Sequence, residues 1–356
     1  MSIVMKPTAS KDQVNDVIHK IKTAGLKVDV SSGEYQTVIG IIGDEKKIDF
    51  DQIRSMPGVH DALRIQVPYR LMSRSYIPKD VVVKVKGIEI GGDNPPVYFS
   101  GPCSIESYEQ LNRIAKAVKE AGAHILRGGA FKPRTSVHSF QGLGVEGLKH
   151  LQAVGKDLDM PTITEIRSET DVETVAKYSD VLQIGARNMF NQDLIEAAAK
   201  TGKPIFFKRG FAAQIDEYLS FAERIVANRN RNIILCERGI MPLGGSFKPQ
   251  TRFTLDLNAV PVLRKETPFP VIGDPSHGTG RRDLVLPMAR ASIAAGAHGL
   301  MIEVHDRPAE AMSDGAQAVL PQELKKIIRI CNTIHKTISE SESPFSSDML
   351  NGNGHA

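Results

Sequence analysis

VYFSGPC, residues 97–103, is the first of eight short apolar runs that decide the fold of this chain. Each run is rich in Val, Ile, Leu or Phe and has the length of a buried strand. Each ends in Gly, a charged residue or a residue type that binds metals. The other seven runs are HILRGGA (124–130), PTITEI (161–166), VLQIGA (181–186), PIFFKRG (204–210), NIILCERG (232–239), PVIGDPSH (270–277) and GLMIEVH (299–305).

Helical patterns separate these runs. Between the first two, residues 107–121 place Leu111, Ile114 and Val118 on one face, and Gly122 follows as a left-handed cap. Alternating strands and helices indicate a parallel sheet, and eight such units indicate a closed (β/α)8 barrel of the TIM type. We therefore predict an α/β fold with a catalytic barrel over residues 97–337.

The first 67 residues predict a separate, small α+β domain with a βαββαβ order. Ser10 and Gln13 resemble a capping box at the start of its first helix, and LRIQV (63–67) reads as its last strand. This ferredoxin-like pattern hosts unrelated functions, so it leaves a packing role and a regulatory role equally open. Residues 68–96 predict a linker and a β-hairpin, and residues 338–356, poor in apolar side chains, predict a disordered tail.

Composition argues against several classes of protein. The length of 356 residues suffices for one barrel of about 250 residues and a small extra domain. A net charge of +4 without a long basic run does not indicate a nucleic-acid partner. No apolar run approaches the length of a membrane span, and the N-terminus lacks a signal-peptide pattern. Three cysteines make no disulfide framework, so we expect a cytoplasmic protein.

The ends of the apolar runs carry the candidate functional residues. Chemistry in (β/α)8 barrels takes place where the strands end, so these side chains should converge on one face. The residues are Cys103, Arg127, Arg187, Lys208, Arg238, Asp274, His277 and Glu303. Eight ionisable or metal-binding groups at such positions predict an active site for an anionic substrate with a bound metal.

The segment Lys132-Pro133-Arg134-Thr135-Ser136 follows the second run and suits a phosphate. A guanidinium grips two oxygens at once, and hydroxyl groups fill the remaining positions. Taken alone, the segment is equally consistent with phosphate binding and with a solvated basic loop. Its position among the cations of the other strand ends favours phosphate, because several cations facing one cavity require a ligand with several negative charges.

Cys103, His277, Glu303 and Asp314 are the candidate metal ligands. A lone cysteine is usually a packed thiol, but an imidazole and two carboxylates on the same barrel face change that interpretation. Such a mixed set suits a borderline divalent ion such as Mn, Fe, Co or Zn. His305, two residues from Glu303, is the competing histidine.

These motifs together resemble the 3-deoxy-D-arabino-heptulosonate 7-phosphate (DAHP) synthase family, over most of residues 70–325. The motifs are GPCSIES, LRGGAFKPRTS, SFQGLG, QIGARNM, KRG, ILCERGI, TLD, DPSHGTGRRDL and GLMIEVH followed by SDG. The N-terminal unit is similar to the ferredoxin-like domain of one branch of that family, which takes part in feedback inhibition by aromatic amino acids.

The resemblance implies an aldol-type condensation of phosphoenolpyruvate with erythrose 4-phosphate and water, the first step of the shikimate pathway. By motif match it assigns metal binding to Cys103, His277, Glu303 and Asp314. Phosphoenolpyruvate binding falls to Arg127, Lys132, Arg187, Lys208 and Arg238. Arg134 and Thr135 would hold the aldose phosphate, Asp274 would hold its hydroxyls, and Lys132 would deliver a proton. We also expect a homotetramer.

The chain departs from the family pattern in two places and leaves two alternatives. GIMPLGGSF (239–247) replaces the usual GIRTF, and His138 replaces an aromatic residue. The nearest alternative enzyme is 3-deoxy-D-manno-octulosonate 8-phosphate synthase, whose K-A-N-R-S stretch differs from KPRTS here. A non-catalytic amino-acid sensor on the same barrel is the second alternative. The intact metal and cation sets argue against that sensor.

Overall fold

The computed structural model describes residues 2–32, 37–42, 47–63, 67–132, 140–242 and 250–341. The chain forms two compact units, Met1–Pro68 and Tyr69–Ala356. All three cysteines are buried and free. None of the described helices is long and apolar enough to cross a membrane.

The first unit is a four-stranded antiparallel sheet with two helices. Its elements are β1 (Ser2–Met5), α1 (Lys11–Thr23), β2 (Lys27–Ser32), β3 (Thr37–Ile42), α2 (Phe50–Arg54) and β4 (Val59–Leu63), with strand order β2-β3-β1-β4. The predicted capping box is present, because Ser10 Oγ accepts from the Gln13 N–H and Gln13 Oε1 accepts from the Ser10 N–H. Buried residues such as Ile3, Ile21 and Ile39 form its core.

The last strand of this unit begins earlier than the sequence predicts. It begins at Val59, directly after the Pro57-Gly58 turn, where Gly58 has a φ of 82°. Among the strand residues whose side chains are described, Val59 and Ala62 are buried. Of that expected strand, residues 64–66 lie outside the described part of the chain.

The second unit is a closed barrel of eight parallel strands in sequential order, as predicted. The strands are β7 (Val97–Gly101), β8 (Ile125–Arg127), β9 (Thr162–Ile166), β10 (Val181–Ile184), β11 (Ile205–Lys208), β12 (Ile233–Glu237), β13 (Val271–Gly273) and β14 (Gly299–Glu303). Sequential parallel pairing places the carboxyl end of every strand on one face.

Helices connect these strands and cover the barrel. They are α3 (Tyr108–Ala121), α4 (Val145–Asp157), α5 (Val172–Tyr178), α6 (Gln192–Lys200), α7 (Ile215–Ala227), α8 (Ala259–Glu266), α9 (Pro275–Thr279), α10 (Arg282–Ala294) and α11 (Pro321–Glu340). Helix α3 has the predicted limits, since Ser107 caps its start and Gly122, with a φ of 100°, caps its end. Residues 342–356, most of the expected tail, lie outside the described residues.

A short hairpin precedes the barrel. Strands β5 (Val83–Val85) and β6 (Ile88–Ile90) pair antiparallel. Val83, Val85 and Ile90 pack against residues at the starts of the barrel strands, among them Val97 and Val181. The hairpin therefore covers the amino end of the barrel and leaves the carboxyl end open.

Candidate active site

The carboxyl ends of the strands surround a pocket that is open to solvent. The predicted residues that line it are Cys103, Arg127, Lys132, Arg187, Lys208, Arg238, His277 and Asp314. Asp274 and Glu303 do not line it; both are fully buried and contact residues that do. Arg134 and Thr135 lie outside the described residues.

Three of the four predicted metal ligands form a cluster. Ligand atoms of Cys103, Glu303 and Asp314 all lie within 4.8 Å of one another. Cys103 Sγ is 3.3 Å from Asp314 Oδ2 and 3.1 Å from Lys132 Nζ. One sulfur and two carboxylate oxygens are a donor set that a borderline divalent cation accepts, so these residues fit a metal.

Two further features of this cluster favour a bound cation. Burial, and then the nearby Glu303 carboxylate, raise the pKa of the Cys103 thiol to about 11. A metal ion would supply the positive charge that the buried thiolate needs. Asp314 has a φ of 51°, a left-handed conformation that costs energy for a residue with a side chain and that often marks functional positions.

Both carboxylate oxygens of Glu303 contact neighbouring side chains. Oε1 is 2.5 Å from Arg127 Nη1, and Oε2 accepts a 2.6 Å hydrogen bond from Gln317 Nε2. Burial alone would raise the pKa of Glu303, but His277, Arg127 and Lys132 hold it well below its usual range. Glu303 is therefore an anion at neutral pH, as a metal ligand must be.

His277 lies at the edge of the cluster rather than within it. Its Nε2 is 3.2 Å from Glu303 Oε1, and its Nδ1 is 2.7 Å from Asp274 Oδ2. Burial lowers the pKa of His277, which favours the neutral imidazole. With a proton on Nδ1 facing Asp274, Nε2 would keep the lone pair that a ligand requires. The competing His305 instead accepts a hydrogen bond at Nδ1 from the Arg307 N–H and is not part of the cluster.

Asp274 contacts two neighbouring residues, His277 and Lys208. It caps α9 by accepting the His277 N–H at Oδ1, 3.0 Å away, and its Oδ2 is 2.6 Å from Lys208 Nζ. Burial opposes ionisation, yet His277 and Lys208 keep the pKa of Asp274 well below its usual range. Both carboxylate oxygens of Asp274 therefore contact neighbouring groups, and the side chain has no exposed surface.

The structure adds site residues that sequence reasoning missed. They are Glu165, Gln183, Phe211, Arg252 and Gln317. Glu165 is the second-last residue of the run PTITEI, so its position near the strand end was a signal in the sequence. It accepts a 2.8 Å hydrogen bond from Gln183 Nε2. Arg252 Nη1 is 3.4 Å from both Asp314 Oδ1 and Gln317 Oε1. No local sequence pattern predicts these two contacts.

Fold and site together define a class: a (β/α)8-barrel enzyme with a cationic pocket that suits small anions and, beside it, a cluster of side chains that fits a metal. Family models narrow this class. Residues 79–340 match the DAHP synthetase I family, and residues 1–67 match the DAHP synthase ferredoxin-like domain. The chain therefore belongs to the DAHP synthase family of aldol-type enzymes. The resemblance and the fold deduced from the sequence are confirmed.

Relatives agree with this assignment. A phospho-2-dehydro-3-deoxyheptonate aldolase of Thermotoga maritima is 44% identical, over 92% of this chain and 97% of its own length. A crystal structure of that Thermotoga enzyme superposes with a TM-score of 0.74 at 41% identity, covering 95% of this chain and 97% of the other. A 2-dehydro-3-deoxyphosphooctonate aldolase of Fusobacterium nucleatum is more distant, at 32% identity over 72% of this chain and 96% of its own length.

Proposed function

We propose that the protein condenses phosphoenolpyruvate with D-erythrose 4-phosphate and water to give DAHP and phosphate. The single observation that carries this proposal is the Cys103–Glu303–Asp314 cluster at the wall of a pocket lined by six cations. A dianionic enol phosphate and a phosphorylated aldehyde repel each other. The cations offset that repulsion and hold both reactants in reach.

Five of the six cations that line the pocket would bind phosphoenolpyruvate. They are Arg127, Lys132, Arg187, Lys208 and Arg238, on the ends of different strands or just beyond them. Arg127 and Lys208 already pair with Glu303 and Asp274, which fixes where their positive charges lie before substrate arrives. Preorganised charge of this kind stabilises an anion without reorganisation at the moment of reaction.

Cys103, His277, Glu303 and Asp314 would hold a divalent metal, which supplies Lewis-acid polarisation of the aldehyde oxygen when bound. Mn, Fe, Co and Zn all suit this set of donors. Lys132, whose Nζ is 3.1 Å from Cys103 Sγ, would donate a proton to the oxygen that becomes the new hydroxyl. The proton acceptor is that aldehyde oxygen, which gains negative charge as the enol carbon attacks.

The burial of Asp274 supports a role other than the one that the resemblance implies. A contact between Asp274 and the sugar hydroxyls would require an accessible carboxylate, and Asp274 has no exposed surface. We propose that Asp274 positions Lys208 and His277 instead. Arg134 and Thr135 keep their proposed role with the aldose phosphate.

The test measures phosphate release with phosphoenolpyruvate and either aldose phosphate, before and after chelator treatment and metal addition. Faster turnover with erythrose 4-phosphate than with arabinose 5-phosphate supports the proposal. A preference for arabinose 5-phosphate would instead support the octulosonate enzyme. Turnover with neither, at any divalent metal, would support the sensor.

We further propose that the first unit regulates the barrel. It folds around its own core and matches the ferredoxin-like domain of the family. Deleting residues 1–67 should leave turnover intact and abolish inhibition by tyrosine or phenylalanine, because coupling requires the inhibitor to favour one state of the full-length enzyme. Turnover against inhibitor concentration, for both lengths of chain, measures this. A full-length enzyme that ignores every aromatic amino acid would contradict it.

The remaining proposals concern assembly and location. A homotetramer rests on the family resemblance, and sedimentation of the purified protein measures it. A cytoplasmic location is supported by the free state of all three cysteines, which suits a reducing compartment.

A further inference from the structure

Two stacked phenylalanines form one wall of the pocket region. The rings of Phe211 and Phe253 lie 5.1 Å apart, centroid to centroid, with 12° between their planes. Phe211 follows β11 in the sequence KRGF, and Phe253 lies in the segment that leads into α8. We call this pair the aromatic wall. Neither residue belongs to the metal cluster or to the predicted phosphate contacts.

Arg238 lies against the aromatic wall. Its guanidinium carbon is 4.0 Å from the centroid of Phe253 and 5.0 Å from that of Phe211. The residue is 3% exposed, and burial lowers the pKa of its guanidinium. Among the described residues no carboxylate lies within 4.0 Å of it, and its hydrogen bond runs from Nη1 to the Gly239 carbonyl, 3.2 Å away.

The backbone is shaped to bring Phe253 to this position. Ile240 and Thr254 exchange two backbone hydrogen bonds of 2.9 Å, which fix the two segments side by side. Gly239 has a φ of 94°, and a Cβ there would lie 2.8 Å from Phe253 Cβ. Only glycine permits both the backbone conformation and the approach of the ring.

Three other cations of the pocket, unlike Arg238, have a carboxylate or sulfur partner. Arg127 lies 2.5 Å from Glu303, Lys208 lies 2.6 Å from Asp274, and Lys132 lies 3.1 Å from the Cys103 sulfur. Those partners compete with an incoming anion for the same N–H groups. A ring face attracts the cation but takes up none of the in-plane N–H donors. The guanidinium of Arg238 therefore stays charged, oriented and available.

Arg187 also lies beside the aromatic wall, and its side chain is exposed to solvent. Its guanidinium carbon is 6.0 Å from the Phe211 centroid, and the side chain makes no ion pair with the described residues. Arg127, Lys132 and Lys208 thus have a carboxylate or sulfur partner, whereas Arg238 and Arg187 lie beside the aromatic wall without one. Arg252 combines both features, since its guanidinium carbon is 5.6 Å from the Phe253 centroid and its Nη1 is 3.4 Å from Asp314 Oδ1. An anion gains most from Arg238 and Arg187, because binding costs no existing ion pair.

We infer that Phe211 and Phe253 are positioning residues for anion binding: they hold the guanidinium of Arg238 free and oriented for the phosphate or carboxylate of phosphoenolpyruvate. This inference rests on the proposed function for the identity of the ligand. A cation–π contact with a desolvated guanidinium corresponds to roughly a tenfold to thirtyfold effect on binding. Loss of a ring should weaken anion binding without touching the metal cluster.

The experiment uses the full-length protein with Phe253→Leu and Phe211→Leu, and with Phe253→Tyr, which keeps the ring. Titration calorimetry measures the Kd of phosphoenolpyruvate and of inorganic phosphate, and steady-state assays measure KM for each substrate. Phe221→Leu is the matched control, since Phe221 packs edge-to-face on Phe190, 5.2 Å away, in a pair that does not include Arg238. Thermal unfolding reports whether each variant is folded.

The expected result is a roughly tenfold or larger rise in the Kd and KM of phosphoenolpyruvate for both ring-removing variants. The KM of erythrose 4-phosphate should stay within about twofold, and Phe253→Tyr and Phe221→Leu should resemble the wild type. Unchanged Kd in folded Leu variants would overturn the inference, as would equal damage from Phe253→Tyr or an equal rise in both KM values. Wild-type protein that binds the anions but turns over neither aldose phosphate would refute the proposed function while leaving this binding test intact.

Discussion

The two ends of the barrel bury opposite kinds of side chain. At the carboxyl end Arg127, Lys208, Asp274 and Glu303 are almost fully buried, and all four are charged groups. At the amino end the hairpin buries apolar side chains such as Ile90 against the starts of the same strands. Burying charge costs free energy that its ion pairs only offset, whereas burying aliphatic groups stabilises the fold.

This difference separates function from stability along each strand. A short strand such as β11 begins with the buried Ile205 and ends with Lys208 in the pocket. Stabilisation at one end allows the other end to hold groups that the fold itself does not need. Substitutions at the carboxyl end should therefore lower activity, and substitutions at the amino end should lower stability.

The largest expected effect is at the carboxyl end. Cys103→Ala should lower turnover by roughly a thousandfold or more, since metal activation contributes several kcal/mol to the barrier. Metal content, measured by elemental analysis, should fall with it, while the unfolding midpoint changes little. Cys331→Ala, at a buried cysteine of α11, is the control and should keep both metal and turnover. Full activity of metal-free Cys103→Ala would remove the cluster from the mechanism.

At the amino end the expected effect moves to stability. Ile90→Ala should lower the free energy of unfolding by about 2–5 kcal/mol, because the side chain is fully buried between hairpin and barrel. Its kcat and KM should match the wild type at temperatures where both are folded. Glu89→Ala, at the exposed neighbour on the same strand, should change stability by less than about 1 kcal/mol. An Ile90→Ala variant with normal stability but altered KM would contradict the separation of stability from function between the two ends of the barrel.

A smaller effect tests the support of the metal ligands. Gln317→Leu removes the amide that donates to Glu303 Oε2 and contacts Arg252, so the orientation of Glu303 should loosen. Removing such a supporting hydrogen bond typically weakens metal affinity by about 10–100-fold. Competition with a chromophoric chelator measures the metal Kd without reference to turnover. An unchanged Kd would show that Arg127 alone is enough to orient Glu303.

The smallest effect appears in the pH dependence of stability. Burial, together with the nearby Arg264 and Arg74 charges, lowers the pKa of His298 to about 3, and its Nδ1 accepts the Val271 N–H, which requires an unprotonated Nδ1. The unfolded chain binds this proton below about pH 6.5 and the folded chain does not, so stability is lost as pH falls from there toward 3.

His298→Asn keeps an acceptor for the Val271 N–H and removes the titration. From pH 6.5 to 5.5 the wild type should lose roughly 1 kcal/mol more unfolding free energy than the variant. Urea titrations at the two pH values measure the difference. Asp274 and Glu303 stay ionised throughout this window because their pKa values are held low. Equal slopes for wild type and variant would contradict the assignment to His298.

Much of the architecture could be read from the sequence because its determinants are local. Strand length, helical periodicity and caps such as Ser107 and Gly122 act over a few residues, and parallel strands in order must end on one face. That rule already placed Cys103, Arg127, Lys208 and Glu303 together, and it would have placed Glu165 as well.

Contacts between distant segments were decided only by the tertiary structure. Lys208 and Asp274 are 66 residues apart in the chain, and nothing local sets their 2.6 Å separation. Phe253 reaches Arg238 only because Gly239 leaves room and the 240–254 backbone pair fixes the distance. The sequence by itself determined which face holds each group, since side-chain direction follows from strand order. Which groups pair, which stay free and which are sealed from solvent depends on distances across the barrel, and only packing of the whole unit sets those.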